Sequence, residues 1–288
     1  MLSITAAGAL RGCTVLAAAA TCGLGIWMSL SLAVEHFPSR LPHEVQNPVL
    51  AVELVGNARE ATVVLGAPAS EERWRREREI RAHLRLDAWL IAAYTSYLVL
   101  LAIRLGARRT GVEPRAGRAR GRPALAVAAM LLALGAGISD IVENQRIAEL
   151  LEPLAPADLG PQPWALAKFV LFDSALLLTS LAFFIEPGAA GVQRWLRWLA
   201  GGFGVGGGLV GTFGAALARG WLIEAGVTLA AASIALGLIY FATQRWLRAG
   251  LLAALDRLAT LPGFRRLASW PSEAEPDEED DPGEPARP

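Results

Sequence analysis

Lysine is almost absent from this chain: of its 27 basic residues only Lys168 is lysine, and the other 26 are arginine. Charge is sparse altogether, at 19% of residues against 53% hydrophobic, which argues against one or two soluble domains. Histidine is scarce too. His36, His43 and His83 all fall in or beside one stretch between apolar runs, so paired intramembrane histidine ligands for haem are missing. A metal site built from His36, His43 and Glu44 lacks any tight ligand spacing. The two cysteines, Cys13 and Cys22, lie on one expected helix about 13 Å apart along its axis, beyond the reach of an unstrained disulfide. Glycine-rich phosphate loops, zinc-protease helices and repeats of 20–50 residues are likewise missing. No cofactor and no metal are implied.

Long hydrophobic runs are what the chain does have. A membrane span needs about 20 predominantly apolar residues, and six stretches qualify: 13–34, 86–105, 123–142, 164–185, 198–218 and 221–241. Tryptophans at 164, 198 and 221 and Tyr240 mark their ends, as expected where rings meet the bilayer interface. The expected fold is therefore all-α, a polytopic membrane helix bundle of about six transmembrane helices with a helical first extramembrane loop at 47–85. Residues 1–270 form the transmembrane domain. It includes an interfacial amphipathic helix at about 245–261, followed by a disordered acidic tail at 271–288.

The neutral formal charge is deceptive. The tail holds eight acids and one arginine, so residues 1–270 carry +7, mostly beside hydrophobic spans. That placement suits anionic lipid headgroups better than nucleic acid. Counting arginines by side gives fifteen on the side of the termini and ten opposite, which places both termini in the cytoplasm. With 26 arginines to one lysine, the composition fits a high-GC bacterial genome and an inner-membrane location.

The first loop has its own punctuation. Asn47-Pro48 is a helix start, Val49 to Leu65 is helix-compatible, and Ser70 caps a helix running from Glu71 to Leu105. Its outer turns offer Glu71/Arg75, Glu72/Arg76 and Glu77/Arg81 in the favourable acid-before-base order. In the fifth span Gly204, Gly208 and Gly211 share one face, a surface that lets another helix approach closely.

Lys168 sits about 6 Å below Trp164 by helical rise, where a lone ammonium is costly unless paired. Asp140, Glu143 and Asn144, at i, i+3 and i+4, share the face of the preceding span where it leaves the membrane. Asp87 stands at the mouth of the second span, with Tyr94 two turns deeper. Six spans bring all of these to one membrane side. Asp173 lies about 140° around the helix from Lys168 and is expected to face another helix.

The segments AVELVGNAREATVVLG, LDAWLIAAYTSYL, ISDIVENQ and WALAKFVLF, in this order, resemble a family of uncharacterised multi-pass bacterial membrane proteins. In that family an Asp-x-x-Glu-Asn sequence precedes a lysine-bearing span. The matching positions are Asp87, Tyr94, Asp140, Glu143, Asn144 and Lys168, within residues 48–186. The resemblance implies the same site residues and no particular reaction.

The expected function is binding or transport of a small or lipid-like ligand at a polar pocket formed by Lys168, Asp140, Glu143, Asn144, Asp87 and Tyr94. Lipid-modifying enzyme and non-catalytic scaffold are the alternatives. A serine/lysine dyad, Ser139 or Ser174 with Lys168, would be the catalytic form. The expected partners are the bilayer and an anionic lipid or small molecule.

Overall fold

The computed structural model describes residues 4–31, 36–107, 122–152, 160–185 and 191–243. The arginine-rich segment 108–121, the interfacial helix expected at 245–261 and the tail at 271–288 lie outside the described residues. The fold is all-helical, with helices α1 Ile4–Ser31, α2 Pro48–Glu53, α3 Ala58–Leu65, α4 Glu71–Gly106, α5 Arg122–Leu150, α6 Gln162–Ile185, α7 Gly191–Ala216 and α8 Gly220–Thr243. Six of these are long and apolar enough to cross a membrane: α1 and α4 to α8. Helices suit that setting because every backbone donor and acceptor is satisfied within the segment.

Side-chain placement matches a bundle in lipid. On α5 the large residues Leu131, Leu134, Ile138 and Ile141 are exposed, while Ala129, Ala133, Ala136, Asp140 and Glu143 face inward. Apolar bulk turned outward and small or polar groups turned inward is the reverse of a soluble helix. Exposed tryptophans ring both ends. Trp27, Trp89, Trp164 and Trp221 sit at the end where α4, α6 and α8 begin, and Trp195 and Trp198 sit at the other.

Helix boundaries differ from the expected spans in an ordered way. Helix α1 starts at Ile4, ahead of 13, and its described part ends at Ser31; residues 32–34 lie outside the described residues. Helix α7 ends at Ala216 rather than 218. Ala218 adopts φ 49° and the Arg219 N–H reaches back to the Gly214 carbonyl at 2.8 Å, a left-handed helix stop. Helix α4, by contrast, runs from Glu71 as expected, capped by Ser70, whose Oγ accepts the Arg73 N–H at 3.1 Å. At about 54 Å it outruns the roughly 30 Å hydrocarbon layer, so its first turns project beyond it.

Those projecting turns carry a cap. Residues 49–65 are not one helical run. Helix α2 stops at Glu53, and Asn57 starts α3 by accepting the Glu60 N–H at 3.0 Å, so the chain breaks between them. The cap has its own apolar core, in which Leu50, Val52, Leu54, Val64 and Leu65 pack with Ile80 of α4, Ile147 of α5 and Phe169 of α6. Arg76 pins it, donating to the carbonyls of His36 at 2.5 Å and Val64 at 3.2 Å.

The expected Glu71/Arg75 and Glu72/Arg76 pairs form, at 2.5 and 3.6 Å. Glu77/Arg81 does not. Glu77 pairs with Arg73 at 2.6 Å, and Arg81 reaches across to the end of α5, donating to the Leu151 carbonyl at 2.9 Å and pairing with Glu152 at 3.3 Å.

Candidate functional site

Three elements deliver the site: the cap above, α5 on one side and α6 on the other. Asp140 and Glu143 are one turn apart on the inward face of α5, and Lys168 faces them from the second turn of α6. Its Nζ lies 2.7 Å from Glu143 Oε2, 3.2 Å from Asp140 Oδ1 and 3.0 Å from Glu53 Oε2. Lys168, Asp140 and Glu143 are 7%, 4% and 0% exposed, so the ammonium is held almost without water. The Phe169 ring adds a face 4.8 Å from Nζ.

A second tier orients the acids. The Tyr94 hydroxyl donates to Asp140 Oδ2 at 2.7 Å, leaving Oδ1 for the lysine. Tyr94 is itself steadied edge-on by Phe172, with centroids 5.2 Å apart. Asn144 Nδ2 donates to Asp87 Oδ2 at 2.6 Å, so Asn144 serves Asp87 and not the lysine. All six residues singled out from the sequence thus lie in one neighbourhood. Three of them (Lys168, Asp140 and Glu143) form the ion cluster, and Tyr94, Asn144 and Asp87 surround it.

Glu53 is the residue the sequence reading missed. It closes α2, the only acid in the apolar run AVELVG, and the cap's attachment to α6 puts it in place. The Gln162 N–H donates to the Val55 carbonyl at 3.3 Å, tying the turn after α2 to the start of α6. Burial pushes the Glu53 carboxyl above the usual carboxylate range. Lys168 pulls it back, and Asp140 adds to the rise. The overlooked signal was that single acid in a segment otherwise fit only for a core.

Space at the site is small. A cavity of about 10 Å³ lies among Glu53, His83, Asp87, Asn144, Ile80 and Ile147, room for about one water. Glu143 Oε1 is buried with no hydrogen-bond partner among the described residues, a costly state for a carboxylate oxygen.

Other polar groups near this end of the bundle go elsewhere. His36 pairs with Glu79, His43 Nε2 lies 3.4 Å from Glu60, and Glu224 accepts the Gln46 N–H at 3.0 Å. Among the described residues no group of three histidine, cysteine, aspartate or glutamate side chains is arranged to hold a metal ion. A serine/lysine dyad needs the lone pair of a neutral amine. An ammonium shared by three carboxylates has none to offer.

Gly204, Gly208 and Gly211 are buried inside the bundle. A Cβ at Gly208 would stand 2.6 Å from the Asp173 carbonyl of α6, and one at Gly211 would strike the Asp173 carboxylate. Gly207 and Gly214 meet α8 in the same way.

Fold and site together define a multi-pass membrane protein with a water-poor lysine–carboxylate cluster beneath a helical cap at one end of the bundle. No family model, curated protein or solved structure matches the chain.

Proposed function

We propose that the protein binds a small ligand bearing an organic ammonium group at the Lys168 pocket and carries it across the membrane. The charge balance supports this reading. Four carboxyls (Glu53, Asp87, Asp140 and Glu143) gather about one ammonium in apolar surroundings, whereas a structural ion pair needs only one acid. Lys168 then acts as the resident occupant. An incoming ammonium displaces it from the carboxylates, and it returns when the ligand leaves. Because the gap beside Glu53 and Asp87 takes about one water, a larger cation enters only when α2 lifts and withdraws Glu53.

The ammonium can belong to a free amine or to a lipid headgroup. Ethanolamine in solution and phosphatidylethanolamine in nanodiscs separate the two sources. Either form should raise the melting temperature in a saturable way, and Glu143→Gln should abolish the effect. Lys168→Met, which removes the internal competitor, should bind the amine more tightly than wild type, while Lys168→Arg should not. If neither form stabilises wild type or Lys168→Met, the reading fails.

The same reading sets the protein in a bacterial inner membrane with both termini cytoplasmic, on the strength of fifteen arginines against ten. The pocket then opens away from the cytoplasm. Single cysteines placed between 106 and 122, with Cys13 and Cys22 replaced by serine, should resist an impermeant thiol reagent in intact cells. Labelling there would reverse the orientation.

A further inference from the structure

Asp173 has no part in the lysine cluster. It is the midpoint residue of α6, about 16 Å along the helix from Gln162, and its side chain is fully buried. Among the described residues neither carboxylate oxygen has a hydrogen-bond partner. The wall opposite is the glycine face of α7. Gly211 leaves the room that the carboxylate fills, and Gly208 brings the two backbones together. Seven residues on, Ser180 is also buried with its hydroxyl unpartnered. It faces Ser233 of α8 across Gly204, and a Cβ at that glycine would lie 2.8 Å from Ser233 Oγ. The Tyr97 hydroxyl, against Gly237, is a further buried orphan.

An acid kept for structure needs a partner, and this one has none among the described residues. Packing alone would be served as well by asparagine or leucine, without the desolvation cost of several kcal/mol that an unpaired ion carries at this depth. The charged and titratable groups on neighbouring elements are engaged elsewhere or, as with Arg197 and Tyr97, do not pair with Asp173. Lys168 on α6, Asp140 and Glu143 on α5, and Asp87 and Tyr94 on α4 are committed to the cluster. Arg197 of α7, whose Nε and Nη1 find no hydrogen-bond partner among the described residues, lies about three turns from Gly208. Glu224 of α8 turns to Gln46, and Tyr240 lies beside Phe183.

We propose that Asp173 is a second binding site, whose ligand is a proton: its carboxyl is neutral at rest and releases and regains that proton reversibly within the bundle. About two turns further along α6 lies the Ser180 hydroxyl, across from Ser233, whose own hydroxyl donates to the Ala200 carbonyl at 2.7 Å. This site stands whether or not the Lys168 pocket takes an amine.

Infrared difference spectroscopy on the full chain in lipid tests it. A protonated-carboxyl band should be present at acidic pH, fade reversibly as pH rises, and be missing from the Asp173→Asn variant at every pH. In parallel, a hydrophobic carbodiimide should modify Asp173 at low pH and progressively less at high pH, as read by peptide mass spectrometry. Identical infrared spectra for wild type and Asp173→Asn would overturn the proposal. So would an Asp173 band that persists unchanged to the highest pH at which the protein stays folded.

Discussion

Replacing Lys168 with methionine keeps most of the side-chain length and removes the ammonium that Glu143, Asp140 and Glu53 share. At 2.7 Å the Glu143 contact alone represents about 6 kcal/mol of gross attraction at an effective dielectric of about 20. Desolvation and repulsion among the acids return most of that. The net cost of stripping one partner from a buried pair is about 3–5 kcal/mol. For a domain of this size each kcal/mol moves the midpoint by about 2–4 °C, so Lys168→Met should melt about 6–20 °C below wild type. Adding Glu143→Gln removes one stranded carboxylate and should recover about 1–3 kcal/mol, a coupling of the size expected for side chains in contact. Fluorescence-detected gel filtration after heating, in one detergent and at one pH, reads all three proteins. A Lys168→Met midpoint equal to wild type, or a double variant that loses the simple sum of the two single losses, would refute the assignment of the cluster as a mutually dependent unit.

Glu53→Gln tests the cap's contribution through pH. Burial raises the folded-state titration of this carboxyl, so the folded chain holds its proton more tightly than the unfolded one. The resulting stability is complete below the unfolded titration and is lost as pH climbs through the raised folded one. The glutamine variant should therefore show a flatter decline of melting temperature as pH rises above the usual carboxylate range, and an unchanged slope would contradict the burial of Glu53. Gly211→Ala sets a methyl against the Asp173 carboxylate and should cost about 1–3 kcal/mol, with part returned by Asp173→Ala; equal losses in both backgrounds would mean the two do not meet. Arg76→Ala removes two charge-assisted hydrogen bonds from the cap, each of about 1.5–3 kcal/mol. Protease cleavage between 36 and 70 should accelerate, and an unaltered rate would show that the cap is held by other means.

The transmembrane architecture was legible because lipid leaves the backbone few choices, so twenty apolar residues and a helix become nearly the same statement. Helix ends were less legible. Ser70 announced the start of α4 at Glu71, whereas α7 ends on a left-handed alanine that no composition signals. The company of Asp140, Glu143 and Lys168 followed from local periodicity and from counting spans. Glu53 could not be reached that way, because it belongs to the cap, and only the tertiary attachment of α2 to α6 brings it to the lysine. Local rules also misjudged Arg81. The i,i+4 pairing with Glu77 was sound as a helix preference, yet Glu77 is taken by Arg73 and Arg81 reaches the Leu151 carbonyl and Glu152 at the end of α5, a tertiary contact that spacing on one helix cannot show.

Since Lys168 is the only lysine, labelling every lysine side chain with ¹⁵N yields a single-site probe of the whole account. The protein in nanodiscs should give one side-chain ammonium signal with slow proton exchange, and Glu53→Gln and Glu143→Gln should each displace it. A fast-exchanging signal of an ordinary hydrated lysine, unmoved by either substitution, would contradict the buried three-carboxylate site.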